Sequence, residues 1–184
     1  MKHPSRSPLP THAQSQDVRA AAVRIAQRLQ RHPRVLVLVD AEAQRRSLFF
    51  ATATQVLRRT RQEQPLLLLV PYGIHRPLQS KQPRVSREPH TQEEDASQPA
   101  LDARMRLASL REVQLQVCTP AEPFPYAAML IYELPAEPSL LMRQVLAAIP
   151  RACRLVGFCL SSRPLSPYPF GFQTAIDARS SLTR

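Results

Sequence analysis

Two carboxylates and two groups of arginines are the residues of this chain whose types and positions could do chemistry. Asp40 directly follows the apolar run Val35-Leu36-Val37-Leu38-Val39, and Glu133 directly follows the stretch Ala127 to Tyr132. Each stands just past a predicted strand. In an α/β sheet both would reach the carboxyl-end edge, where they could act as an acid/base pair or hold a cation, as in a metal-dependent nuclease. The plain alternative is that Asp40 caps the helix that follows and Glu133 ends an exposed turn. Arg143, Arg151 and Arg154 surround a helix-to-strand junction near the end of the core, and Arg24, Arg28 and Arg31 line one face of an early helix. Together they could form a patch for phosphates or a carboxylate-rich peptide, with Val145 and Phe158 as an apolar floor. The competing reading is a solvated face.

Other chemistries lack their residues. The three glycines, Gly73, Gly157 and Gly171, are far apart, and the turn Val39-Asp40-Ala41-Glu42-Ala43 contains none. With no P-loop and no GxGxxG, the usual cradle for ATP or a dinucleotide is missing, and no cofactor is expected. None of the five histidines stands at metal-ligand spacing from a cysteine or another histidine, so no metal site is expected. No GxSxG supplies a nucleophile elbow. Aromatics make up 5% of the chain and tryptophan is absent, which disfavours base stacking on single strands. Cys118, Cys153 and Cys159 show no CxxC spacing and read as reduced, buried thiols of a cytoplasmic protein.

The elements that must position these residues follow from periodicity. Val18, Ala22, Ile25 and Leu29 recur at helical spacing over Gln16 to Arg31, and Pro33 ends that helix. A strand is predicted over Arg34–Val39, a helix over roughly Ala41 to Arg59, and a second strand over Leu66–Val70. A short helix is predicted over Leu101 to Leu110, strands over Val113–Val117 and Ala127–Tyr132, a helix capped by Ser139 and ended by Pro150, and a last strand over Arg154–Leu160. Short apolar strings joined by amphipathic helices read as buried parallel strands with crossovers. The expected fold is α/β: a single Rossmann-like three-layer domain with a mostly parallel sheet.

Composition divides the chain further. The 19 prolines crowd into the beginning, the stretch from Pro71 to Pro99, the stretch from Pro120 to Pro138, and the tail. Residues 1–15 therefore read as a disordered basic arm, 16–160 as the domain with a mobile Pro/Gln-rich loop over 71–99, and 161–184 as an irregular tail with Tyr168, Phe170 and Phe172 as aromatic anchors. No stretch has the length and apolarity of a membrane span or a signal-peptide core. The net charge of +11 attracts polyanions: nucleic acid, an anionic membrane surface or an acidic protein segment. An arginine-rich coding bias would produce the same charge.

Two stretches resemble a known family. Arg34-Val35-Leu36-Val37-Leu38-Val39-Asp40-Ala41-Glu42-Ala43-Gln44, with the Val70-Pro71-Tyr72 step, is similar to the entry strand and helix of the chi subunit of bacterial DNA polymerase III. Leu130-Ile131-Tyr132, through Arg151-Ala152-Cys153-Arg154-Leu155-Val156-Gly157-Phe158, looks like that family's last strand–helix–strand with its Gly-Phe ending. The strand–Asp–helix pattern also resembles, more distantly, the second RecA-like lobe of helicases without its signature motifs. The chain differs from the chi pattern at Pro150, in the long 71–99 segment and at both ends.

The chi resemblance implies a small α/β protein without an active site, linking a clamp loader to single-stranded-DNA-binding protein. The acidic, phenylalanine-ended tail of that protein would dock on Arg143, Arg151 and Arg154, with Gly157 and Phe158 alongside. The expected function is thus a non-enzymatic adaptor of DNA replication or repair that binds an acidic tail, another replication subunit or single-stranded nucleic acid, away from membranes. The alternatives are a nuclease-like enzyme using Asp40 and Glu133, and a structural protein that binds RNA or an assembly through its charge.

Overall fold

Strings of valine and leucine have no polar face to turn to solvent, so they form strands covered on both sides. The computed structural model describes residues 12–60, 63–71, 73–74, 98–118, 123–160 and 169–179. Within them, six strands form one sheet: β1 (Arg34–Val39), β2 (Leu66–Leu69), β3 (Met105–Ala108), β4 (Ala128–Ile131), β5 (Arg154–Leu160) and β6 (Thr174–Asp177). Their order is β3-β2-β4-β5-β1-β6, and every pairing is parallel. The helices are α1 (His12–Arg31), α2 (Glu42–Arg59), α3 (Gln98–Ala103), α4 (Leu110–Cys118) and α5 (Leu140–Ala148). The α/β, Rossmann-like reading holds, and the sheet is wholly rather than mostly parallel.

Alternation along each strand builds two cores. Val35, Val37 and Val39 join Leu66, Leu68, Val156 and Phe158 under α1 and α2. Leu36, Leu38, Leu67, Leu69 and Leu155 face the other way, under Val113 of α4 and Met142, Val145 and Leu146 of α5. Three layers result, because a parallel sheet must be covered on both faces. Ser139 caps α5 as expected: its Oγ accepts a hydrogen bond from the Met142 N–H at 3.2 Å.

Three expectations need correction. Val113–Val117 is not a strand but the body of α4, and the strand lies earlier, at Met105–Ala108, inside the stretch read as a helix. The sequence Val-Gln-Leu-Gln-Val alternates with period two, yet Leu110, Val113 and Val117 also fit one helix face, and Leu115 is left 67% exposed. The tail is not wholly irregular: Thr174–Asp177 adds β6 beside β1, and Phe172 is buried in the α5-side core. Helix α1 begins at His12, earlier than expected. The rest of the expected arm, nearly all of the 71–99 loop and parts of the tail, including Tyr168, lie outside the described residues.

Candidate anion-binding groove

The carboxyl ends of the parallel strands come first, since α/β sheets place ligands there. Asp40 and Glu133 both stand on this edge and both are exposed. However, β5 lies between β1 and β4, which sets the two residues about 10 Å apart at the usual ~4.8 Å strand spacing. Two exposed side chains at that separation make no direct bond to each other. Asp40 does not cap α2 either: Ala41 is the cap residue with no side-chain bond, and the Asp40 N–H donates to Gln44 Oε1 at 2.9 Å. Glu133 lines a cleft of about 500 Å³ with Leu69, Pro71, Ser109, Arg111 and Met142. The Ser109 and Ser139 side chains beside this cleft are occupied in capping α4 and α5. Among the described residues no group of three or more His, Cys, Asp or Glu could hold a metal ion.

On the other face of that edge, Arg45 is 4% exposed. Its Nη2 donates to Glu42 Oε2, and its guanidinium lies 4.6 Å over the Tyr132 ring. The Tyr132 hydroxyl donates to Glu42 Oε1, and Phe49 packs edge-on against the same ring. Burial, reinforced by the neighbouring Glu42 carboxylate, raises the Tyr132 pKa, so the hydroxyl keeps its proton and remains a donor. This cluster ties the start of α2 to the end of β4. Nothing in the sequence marked it, because an arginine on a helix reads as surface. Burial likewise pushes the Cys159 thiol up and that of Cys153 up to about 12, which keeps both buried, free cysteines protonated and unreactive.

The second arginine group does not converge. Arg143 is exposed at the start of α5, with its Nε donating to the Pro138 carbonyl at 3.1 Å. Arg151 is exposed just past the far end of α5, and Arg154 is half-buried at the first residue of β5. Val145 and Phe158 cannot be a common floor. Both are fully buried, and they belong to cores on opposite faces of the sheet. Gly157 serves packing: a Cβ there would stand 2.8 Å from Phe172 Cζ and 2.9 Å from Leu134 Cδ2.

The first group does converge. Arg24, Arg28 and Arg31 recur at helical spacing on α1 and so share one face, while Ala22, Ile25, Ala26 and Leu29 bury the opposite one. They line a groove of about 680 Å³, completed by Gln27 and by Ala175, Ile176 and Asp177 of β6. All three arginines are exposed, and none has a carboxylate partner among the described residues. Among the described residues Asp177 is the groove's only carboxylate, and Arg179 engages it with its backbone N–H at 3.0 Å and its Nε at 2.8 Å. Those bonds hold the Asp177 carboxyl below its ordinary pKa. Among the described residues the groove therefore presents three arginines without a carboxylate partner to an anion. Helix spacing could find the arginines; the strand that forms the other wall could not be found in a tail with no strong pattern. No family model, curated protein or solved structure matches the chain.

Proposed function

We propose that the protein is a non-catalytic adaptor that binds an acidic segment of a partner protein in the groove between α1 and β6. The observation that carries this reading is the set of three arginines on one helix face, without a carboxylate partner among the described residues and opposite the sheet's last strand. Charge-assisted bonds from guanidinium to carboxylate are strong and geometrically selective. Among the described residues the groove is lined by arginine, glutamine, two small or aliphatic side chains and Asp177, with no aromatic ring, so these residues offer no stacking platform for the bases of a single strand. That favours a peptide over nucleic acid. The chi-like stretches support placing the partner among replication and repair proteins.

The test is fluorescence anisotropy with two probes, an acidic peptide ending in Asp-Phe and a single-stranded oligonucleotide, each over a salt series. Peptide binding that survives moderate salt is expected. The variant Arg24→Ala/Arg28→Ala/Arg31→Ala should lose about tenfold or more of it, and Arg143→Ala/Arg151→Ala/Arg154→Ala should change it little. Binding of the oligonucleotide alone, with a steep salt dependence, would overturn the proposal. So would loss of peptide binding only in the second variant.

A further inference from the structure

The wall of the groove opposite α1 is itself a chemical surface. Strand β6 pairs on its inner side with β1, Thr174–Asp177 lying opposite Val35–Leu38. It is the last strand in the sheet order, and among the described residues none pairs with its outer side. An edge strand carries unpaired N–H and C=O groups, the template for adding another strand. Here that template runs along the same groove as the arginine stripe, so backbone pairing and charge pairing are offered to one ligand at once.

The two sets of groups match in spacing. Arg24 and Arg28 are separated by about 6 Å along the helix axis, and alternate residues of an extended strand by about 6.6 Å. The stripe from Arg24 to Arg31 covers about 10 Å on the same rise, within reach of a strand's i, i+2 and i+4 side chains once the long arginine side chains flex. Resting on the acidic-segment reading above, we infer that the partner segment binds as an added strand on the outer edge of β6, with acidic side chains at alternate positions turned toward α1. The recognised feature is then a pattern rather than a charge: acid, any residue, acid, any residue, acid, in extended conformation. A run of adjacent acids would turn half of its carboxylates away from the arginines.

The experiment uses the full chain and a fluorescein-labelled heptapeptide alternating Thr and Asp. Three relatives accompany it: one with the same composition but contiguous Asp, one N-methylated at every Asp, and one N-methylated at every Thr. In a strand, alternate backbone N–H groups point to opposite sides, so only one methylated set removes the donors that face β6. The alternating peptide should bind tighter than the contiguous one, and one methylated peptide, but not the other, should lose about tenfold or more. Equal affinity for all four peptides, or equal loss from both methylated sets, overturns strand addition while leaving the acidic-segment reading intact. Binding of none of the four overturns both. Sedimentation without peptide closes the remaining case: a monomer is expected, and a dimer that dissociates on adding peptide would put a second copy of this chain on the edge and overturn the inference.

Discussion

Arg45 is a charge taken out of water, and its partner is not. The Glu42 side chain is 56% exposed against 5% for Arg45, so the two ends of this ion pair differ in what their loss would cost. Removing Glu42 strands a buried guanidinium whose Nε already has no hydrogen-bond partner among the described residues. Removing Arg45 leaves a carboxylate that water can reach. Unfolding in urea should therefore show Glu42→Ala destabilised by about 3 kcal/mol or more, and Arg45→Met by clearly less. Equal losses in the two variants would mean that Arg45 acts through its packing on Tyr132 rather than its charge. Gly157 teaches a related lesson. It stood in a motif-like Gly-Phe step, and its reason is the Phe172 ring pressed against its Cα. The residues that looked functional by type, Val145, Gly157 and Phe158, proved to be core, because a buried apolar residue and a binding-pocket floor have the same composition in sequence. Arg24, Arg28 and Arg31 were legible because helical spacing alone puts them on one face.

Helix α4 shows where element reading failed and why. Its apolar residues satisfy both the helical and the strand period, and length could not separate a nine-residue helix from a five-residue strand. The deciding signal was local: Ser109 and Glu112 form a reciprocal cap, with the Ser109 N–H donating to Glu112 Oε2 at 2.6 Å and the Ser109 hydroxyl to the same oxygen at 2.7 Å. The Ser109 backbone bond, then its hydroxyl, holds the Glu112 carboxyl below its ordinary pKa. The folded state thus favours the charged form. Its contribution is present above the ordinary carboxylate pKa and is lost as pH falls through the lowered folded value. Acid titration followed by amide exchange of residues 110–113 should show the start of α4 loosening below about pH 4.5, and Glu112→Ala, which removes the acceptor, should be loose at neutral pH and insensitive over that range. Identical titration of the variant and the wild type would remove the cap as the cause. The strands divide in the same way. β1, β2, β4 and β5 are central and, apart from the arginines that open β1 and β5, built of apolar residues and Gly157, so they were legible; β3 and β6 are four-residue edge strands, half-wet and defined by their neighbours.

At the scale of the molecule, the sheet order brings together what the chain separates. β6, near the end of the sequence, lies beside β1, and so beside the helix α1 that precedes β1. That juxtaposition creates the groove, and no local pattern could reveal it, since a parallel neighbour is chosen by the whole fold. The same order sets one strand, β5, between those that carry Asp40 and Glu133. Among the described residues no helix is long and apolar enough to cross a membrane. The net charge of +11 attracts acidic partners from a distance and makes the encounter rate fall with salt; the groove is what would turn attraction into selection. The most direct measurement is therefore one of place: backbone amide chemical-shift mapping of the full chain titrated with the alternating Thr/Asp peptide. The expected result is a set of saturable shifts at Arg24, Gln27, Arg28 and Arg31 together with Ala175, Ile176 and Asp177, and quiet amides at Arg143, Arg151 and Arg154. Shifts centred on Ser109, Arg111 and Glu133 at the carboxyl-end cleft, with α1 and β6 unmoved, would contradict the groove as the binding site.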